Sequence, residues 1–553
     1  MDVNLYNASK KYRDALDDLK CKKDGIYYTP ELVVKLMVEE LFKGVDISEN
    51  IKILDIASGC GLFYSEVVNH FLENVEENKQ DYILENLSKN LYAIEKDKGS
   101  VDILKKYNKF KYNNFEKMNM NVLKDDALFP QTKKIKEGMF DYIIGNPPYI
   151  GHKNIDPQYS KRLREKYGDV YINKSDIYYC FFRRAIDYLK EDGVCSYIVP
   201  RYFFESQSAL NVRKFLEKNT EIINIFDFRN CDVFSKNIRI SPSIITFRKK
   251  IKSRPNLCGK DTKIKIIHNK EDLEYLLSGN NINSDGVLFK DDTSWAVITK
   301  NEKKIMDSIK KKKKYKLGDM VNSYQGIITG CDKAFILDRE SDLVKEVDSS
   351  LCKRWIKSKD IESYNIKESK KVLLYTDSLR SLEEGQLKVH LSNYRNKLEN
   401  RREVLRGIRS WHHLQWGRQE SIFEQEKIIY PFKSKDNRFA LDKQNSFFSA
   451  DVYFFTIKED FKNIISYPYL LTILNSSIYQ AYMQAFLKKM GNSVYEYYPY
   501  RLLETYIFID ENYKILENTG KNILKEKNIS KKENLMKKVD KIIEKSLKLT
   551  NFD

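Results

Sequence analysis

The stretch ILDIASGCGLF, residues 53–63, decides the fold of the first half of the chain. A short apolar strand ends at Asp55 and runs into a turn whose glycines, Gly59 and Gly61, allow the backbone to approach a ligand closely. The third glycine of the dinucleotide fingerprint and an accompanying phosphate-binding lysine are both missing, which disfavours NAD and ATP as ligands. The stretch therefore predicts a different small ligand at the carboxyl end of a buried strand.

Further apolar runs with helical patterns between them predict a doubly wound α/β domain over the first 250 residues. The last two strands follow one another without a long helix, which indicates an antiparallel hairpin at one edge of the sheet. The predicted strands are Ile51–Ile56, Leu91–Ile94, Phe140–Ile144, Val194–Val199, Ile222–Phe228 and Ser243–Phe247.

The tetrapeptide Asn146-Pro147-Pro148-Tyr149 follows the strand FDYII and a glycine, where active sites of open α/β sheets lie. An exocyclic amine on a heteroaromatic ring is a poor nucleophile because its lone pair is delocalised. The Asn146 side-chain oxygen and the Pro147 carbonyl can draw that nitrogen towards an attacking geometry, and the prolines keep both oxygens aimed. Tyr149 then offers a ring that can stack against the heteroaromatic base that carries the amine. A rigid Pro-Pro turn with no catalytic role is the alternative.

Composition favours a folded chain with a polyanionic partner. Of the 553 residues, 42% are hydrophobic, and 97 Lys and Arg against 79 Asp and Glu leave a net charge of +18. Lysines on solvated faces would give the same excess without any partner. The eight cysteines form no CxxC pair, so we expect a reducing cytoplasm and no metal site. We also expect neither a signal peptide nor a membrane span.

Changes in composition predict the domain limits. The polar stretch after Arg248 and the five lysines at 310–314 are typical of boundaries or solvated helix ends. We therefore expect a catalytic domain at 1–260, a connecting segment at 261–315 and a mixed α+β domain at 316–553. These are two large functional units.

Together, the motifs resemble the amino-methyltransferases that use S-adenosylmethionine, and their order resembles the gamma class of DNA adenine methyltransferases. The resemblance implies a Rossmann-like class I methyltransferase domain with a mixed, mostly parallel seven-stranded sheet, followed by a target-recognition domain. It implies S-adenosylmethionine as the cofactor and makes Asn146, Pro147, Pro148 and Tyr149 the catalytic segment.

The resemblance also assigns the cofactor site residue by residue. In Gly25-Ile26-Tyr27-Tyr28-Thr29-Pro30, Thr29 corresponds to the threonine that helps to hold the methionine part of the cofactor. Glu95 corresponds to the ribose acceptor, and Asp126 to the residue that binds the adenine amine. The spacing from Asp55 to Glu95 exceeds the usual 20 or so residues, so a longer helix or an insertion is expected there. The full predicted cofactor set is Tyr28, Thr29, Asp55, Ala57, Gly59, Gly61, Glu95, Asp126, Asn146 and Phe181.

Phe234 corresponds to the aromatic residue that such enzymes place on the other face of an extruded base. Tyr149 and Phe234 would then enclose the target adenine, although Phe234 could equally be a core residue before an edge strand. YQGIITGCDKAF at 324–335 is similar to TaqI-like specificity domains, and together with NPPYIGH it resembles the CamA-type solitary adenine methyltransferases of spore-forming clostridia.

The function implied by the resemblance is methylation of the 6-amino group of a flipped adenine in double-stranded DNA. We expect a solitary, cytoplasmic, nucleoid-associated monomer without metal. The open alternatives are a restriction-modification methyltransferase, an RNA or protein amide methyltransferase, and an inactive DNA-binding module. An N-terminal nuclease is not expected because the cofactor segment starts at Gly25. Candidate DNA contacts are Gln325, Arg409, Lys435, Arg438 and Lys489.

Overall fold

The computed structural model describes most of the chain and divides it into two compact units. The first contains Met1–Lys300 with Lys489–Ser493, and the second Asn301–Lys488 with Val494–Asp553. The described residues are 4–16, 25, 29–47, 50–112, 121–172, 174–229, 231, 241–251, 253, 262–282, 284–290, 294–490 and 493–549. Two predicted site residues, Tyr28 and Phe234, lie outside them.

An eight-stranded sheet forms the centre of the first unit, in the order β3-β2-β1-β4-β5-β7-β6-β8. Strands β1 to β5 pair in parallel, whereas β7 pairs antiparallel with β5 and with β6. The strands are β1 Ile53–Asp55, β2 Leu91–Glu95, β3 Val122–Lys124, β4 Phe140–Gly145, β5 Leu189–Pro200, β6 Thr220–Asp227, β7 Pro242–Lys249 and β8 Lys263–Ile266.

Helices cover both faces of this sheet, and two core clusters lie beneath them. The central strands are buried on both sides, as parallel strands in α/β folds are, which is why they are continuous apolar runs in the sequence. The helices are α1 Leu5–Asp14, α2 Glu31–Phe42, α3 Leu62–Glu73, α4 Gln80–Asn90, α5 Lys98–Lys111, α6 Pro157–Tyr167, α7 Tyr178–Tyr188, α8 Leu210–Asn219 and α9 Lys270–Leu277.

The structure confirms the predicted fold class and corrects two details of the sheet. The sheet has eight strands and not seven. The antiparallel pair β6 and β7 does not form the edge, because β7 pairs with both β5 and β6 and β8 pairs in parallel with β6 to take the edge position. Helix α4 lies between Asp55 and Glu95 and accounts for their long spacing.

The segment between the two predicted domains is largely structured. It contains β8, α9 and an antiparallel pair of strands, β9 Gly286–Lys290 and β10 Trp295–Thr299. All of these belong to the first unit. The first unit therefore continues to Lys300, beyond the residue 260 expected from composition.

The second unit mixes small sheets with helices around its own core. Its two larger sheets have four strands each: Val321–Gln325, Lys427–Pro431, Ala440–Asp442 and Val452–Ile457 in one, and Ile336–Asp338, Cys352–Ile356, Lys371–Leu374 and Phe447–Phe448 in the other. The longer helices are Lys300–Lys312, Gln386–Ser392, Tyr467–Leu474, Ser477–Phe486, Tyr513–Lys525 and Ile529–Leu547, and shorter helices lie at Arg395–Glu399 and Arg402–Leu405. No helix among the described residues is long and apolar enough to span a membrane.

Candidate active site

The Asn146 segment leaves the carboxyl end of β4 and is held by the N-terminal part of the chain. Asn146 Nδ2 donates a hydrogen bond to Thr29 Oγ1 at 3.0 Å. Gly25 packs so closely against this segment that an added Cβ would lie 2.9 Å from the Tyr149 backbone nitrogen. The structure therefore brings together two motifs that are more than a hundred residues apart.

The second polar atom of the Asn146 amide remains available. Its Oδ1 is buried and accepts no hydrogen bond from any described residue. A buried acceptor without a donor is costly unless a ligand supplies the donor. Because Thr29 fixes the other end of the amide, Oδ1 has a defined direction in which to accept a hydrogen bond.

Tyr149 is buried, and its ring is fixed from two sides. Its hydroxyl donates to the Ile198 carbonyl at 3.0 Å, and its ring meets Tyr178 edge-to-face at a centroid distance of 5.9 Å. The ring is therefore rigid before any ligand arrives, as a stacking surface requires.

The predicted cofactor turn follows β1 and is hydrogen-bonded to Glu95 at the end of β2. Gly59 adopts a positive φ of +53° and donates its backbone N–H to Glu95 Oε2 at 2.8 Å, while Asp97 N donates to Glu95 Oε1 at 2.7 Å. Burial raises the pKa of Glu95, and these backbone donors offset part of that rise. Glu95 thus holds both loops in place and still has lone pairs for further donors.

Asp55 is fully buried where β1 ends. One oxygen accepts from Tyr64 N at 3.1 Å, whereas Oδ1 has no partner among the described residues. Burial raises the pKa of Asp55 well above its usual value. The Ser58 hydroxyl is a further buried group without a described partner, and Ala57 beside it is half-buried.

Asp126 follows β3 and is held by a network of its own. Oδ2 accepts from the Tyr159 hydroxyl at 2.8 Å and lies 3.5 Å from Lys96 Nζ. Oδ1 accepts from the backbone N–H of Leu128 at 2.9 Å. Phe181, another residue of the predicted cofactor set, is buried in α7.

The residues present fit S-adenosylmethionine. Asp126 and Asn146 follow β3 and β4, and Glu95 and Asp55 end β2 and β1. These four strands are adjacent, so the side chains lie along one edge of the sheet. The unpartnered oxygen of Asp55 is an acceptor that suits a ligand carrying an ammonium group and ribose hydroxyls. Residues of the sheet edge would therefore hold the methionine part, the ribose and the adenine.

Asp176, to which the sequence interpretation gave no role, is a further polar residue of this region. It forms a β-bridge with Gly151, two residues after Tyr149, and its Oδ2 accepts from the Tyr202 hydroxyl at 3.1 Å. Burial raises the pKa of Asp176 to about 6. An acidic residue directly before the run IYYCFF at 177–182 was the signal that could have identified it.

Buried charges also lie at the carboxyl ends of β5 and β6. Arg201 donates to Asp227 at 2.7 Å and to Glu205 at 2.5 Å. Burial alone would raise the pKa of Asp227, but the guanidinium groups of Arg201 and Arg229 outweigh it and lower that pKa. These pairs make this part of the sheet edge rigid.

Most of the candidate DNA-contact residues of the second unit form hydrogen bonds or ion pairs within that unit. Gln325 donates to the Ala450 carbonyl and accepts from Arg418, and Arg438 contacts Ser434 at 2.9 Å. Arg409 pairs with Asp377 at 2.8 Å.

The remaining two candidates differ sharply in exposure. Lys435 is exposed, so its ammonium can reach an external partner. Lys489 is buried, belongs to the first unit and lies 3.4 Å from the Val297 carbonyl. A structural role therefore accounts for Lys489 better than contact with phosphates or bases.

Two protein-family models match the chain in succession. The Eco57I restriction-modification methylase model matches residues 40–234, and the TaqI-like C-terminal specificity domain model matches residues 274–505. The first part of the chain is therefore similar to the Eco57I methylase family, and the later part to TaqI-like specificity domains. Both matches agree with the gamma-class resemblance of the motifs.

Individual relatives agree with these domains. The type II methyltransferase M.BstVI of Geobacillus stearothermophilus is 21% identical over 86% of this chain and 88% of its own length. The type II methyltransferase M.HindII of Haemophilus influenzae is 26% identical over 83% of this chain and 85% of its own. These similarities, with the fold and the residues at the sheet edge, identify S-adenosyl-L-methionine as the cofactor of this chain.

Solved structures show the same fold. The type IIL restriction-modification enzyme MmeI, solved in complex with DNA, superposes with a TM-score of 0.71 at 14% identity. The match covers all of this chain and 80% of that one. At this identity the similarity establishes the fold and leaves substrate and specificity to other arguments.

Proposed function

We propose that the chain transfers a methyl group from S-adenosylmethionine to the 6-amino group of a flipped adenine in duplex DNA. The observation that carries the proposal is the Asn146 amide, whose nitrogen is bound by Thr29 and whose oxygen is buried without a described donor. A buried oxygen of this kind can accept a hydrogen bond from an N–H group of the substrate. The specificity domain and the charge of +18 support DNA as the substrate.

The residues of the site act by orientation. Asn146 Oδ1 and the Pro147 carbonyl accept the two amine hydrogens, which turns the nitrogen lone pair out of the ring plane. Pro148 restricts the backbone, and Tyr149 stacks on one face of the base, with Phe234 proposed for the other. The cofactor supplies an electrophilic methyl group on a sulfonium sulfur.

Duplex DNA hides the adenine amine, so the proposal includes base flipping. Unpairing and unstacking cost a few kcal/mol, which stacking on Tyr149 and contacts to the backbone offset. Glu95, Asp126 and the turn at Gly59 would hold the cofactor's ribose and adenine while the base enters.

Purified protein, labelled S-adenosylmethionine and unmodified bacterial DNA test the proposal. We expect 6-methyladenine in the digested nucleosides and a defined sequence context in modification-sensitive long-read sequencing. Bacterial RNA and cell protein serve as competing acceptors in the same assay. Label in RNA or protein, or a different methylated base in the DNA, would contradict the proposal.

The proposal further describes a solitary, CamA-like monomer that needs no metal ion. Its principal alternative is a methyltransferase paired with a restriction enzyme, as the names of relatives such as RM.Eco57I suggest. Deleting the gene distinguishes the two, because a resident nuclease with the same specificity would cut the unmethylated chromosome. Gel filtration measures whether the protein is a monomer, and activity in the presence of EDTA tests whether it needs a metal ion.

A further inference from the structure

A short turn of the second unit, residues 401–409, exposes two large apolar side chains close together. Leu405 is 71% exposed and Ile408 is 57% exposed. Among the described residues, no other two large hydrophobic side chains with such exposure lie within ten positions of each other. Single exposed apolar residues are common on proteins, but a pair three positions apart on one turn calls for a physical reason.

The turn that carries these side chains is firmly anchored. Arg401 is buried and donates to the carbonyls of Thr329, Trp411 and His413 at 3.1, 2.7 and 2.8 Å. The backbone N–H of Ile408 returns to the Glu403 carbonyl at 2.9 Å. The exposed tip is therefore held rigidly, and its apolar groups are presented to an external partner with little loss of conformational entropy on binding.

The exposed charged side chains within residues 401–409 are all positive. Arg402 and Arg406 are exposed, lie one helical turn apart and form no ion pair with a described residue. The acidic residue of the turn, Glu403, is buried and accepts from Gln415 Nε2 at 2.9 Å. An apolar tip flanked by unpaired arginines is complementary to a polyanion that also offers an apolar surface.

We propose that Leu405 and Ile408 form an apolar wedge that inserts at a base step of duplex DNA while Arg402 and Arg406 contact the flanking phosphates. Stacked bases are the apolar part of such a partner, and proteins that kink DNA insert Leu or Ile side chains in this way. The inference rests on the proposed function, because a flipped base requires a distorted duplex. It adds the means by which this chain stabilises the distortion.

The test compares the Leu405→Ala/Ile408→Ala double variant with wild type on a short duplex carrying the methylated sequence. Fluorescence anisotropy gives the Kd, and 2-aminopurine placed successively through the duplex reports unstacking. We expect the Kd of the double variant to be about tenfold to a hundredfold higher than that of wild type. With wild type, 2-aminopurine at the inserted base step should become more fluorescent, and the double variant should lose this increase. Val389→Ala, which removes a side chain 60% exposed elsewhere in the unit, is the control and should change neither.

The arginines should behave differently from the wedge. Arg402→Ala and Arg406→Ala should weaken binding to specific and random duplexes alike and each lower the salt slope by about one. Wild-type affinity and an unchanged 2-aminopurine profile in the double variant would overturn the wedge, even with adenine methylation intact. Absence of 6-methyladenine with wild-type protein would instead overturn the proposed function.

Discussion

Asn146 shows how much of this site depends on one side chain. Its nitrogen is bound to Thr29 at 3.0 Å, so the amide cannot rotate to present its donor to the substrate. In the proposed function, the oxygen is then the group that would accept a hydrogen bond from the incoming amine. Positioning of this kind lowers the barrier because the acceptor is aligned before the substrate binds.

Replacing Asn146 by Ala should therefore remove methyl transfer and leave cofactor binding largely intact. We expect the single-turnover rate to fall by at least about a hundredfold, the usual cost of losing one aligned polar group. Isothermal titration should give a cofactor Kd within about tenfold of wild type. The exposed Asn154, a few residues further along the loop, provides the control variant Asn154→Ala. A near-normal rate in Asn146→Ala would disprove the amine clamp.

Asp176 should make the stability of the protein depend on pH. Its pKa is raised to about 6 by burial, so the folded state favours the protonated acid. The stabilisation is present below about pH 4 and is lost as the pH rises through 6, a change of about 3 kcal/mol for a shift of roughly two units.

Denaturant unfolding of wild type and Asp176→Asn at several pH values measures this effect. Asparagine resembles the protonated acid and does not titrate, so the variant should gain stability relative to wild type as the pH rises. Comparing the two proteins at each pH cancels all other titrating groups. Parallel stability curves for the two proteins would show that Asp176 does not titrate in this range.

At the scale of elements, the conformation of the cofactor turn depends on the close approach of α3 and α5. Gly61 begins α3 with φ at +84°, and a Cβ there would lie 2.3 Å from the Leu104 side chain of α5. A glycine is needed at this position for two independent reasons, the backbone conformation and the lack of space.

Gly61→Ala should lower the stability of the first unit by more than a glycine replacement that strains the backbone without a steric clash. Gly138 has a similar φ of +64° with nothing within 4 Å, so Gly138→Ala measures the conformational cost of about 1–2 kcal/mol. We expect Gly61→Ala to add about 1–3 kcal/mol from overpacking and to weaken cofactor binding. Equal losses in thermal or denaturant unfolding would mean that Leu104 moves aside freely.

At the scale of the whole molecule, charge is the property that matters most. A net charge of +18 is spread over a chain with two separate cores, and many of the cations are already paired. The exposed, unpaired ones, such as Arg402 and Arg406, remain available for phosphates.

Binding to DNA should consequently weaken steeply with salt. Displacement of counterions from several phosphates predicts a loss of roughly a thousandfold or more in affinity between about 50 and 200 mM salt. Anisotropy titrations over this range measure the slope, and the cofactor Kd serves as the internal control because it involves no polyanion. A flat dependence would show that the excess charge lies on solvated faces without a role in binding.

Some features of this protein were predictable because they depend on local pattern. The apolar runs before Asp55, Glu95 and Asn146 identified the strands, since strands buried on both faces must be apolar throughout. The two strands of the central sheet that escaped prediction, β3 and β8, have three and four residues and carry lysines. Such short strands exist because a neighbouring strand supplies their hydrogen bonds, which a local pattern does not record.

The sequence by itself determined the central strands of the sheet, the polar residues at their carboxyl ends and the order of the two domains, because these follow from periodicity and from short motifs. Only the tertiary structure decided which partners these residues have. Thr29 meets Asn146, Tyr202 meets Asp176 and Lys489 is buried, all through contacts between residues far apart in the chain. The physical reason is that hydrogen-bond partners and burial are set by how elements pack.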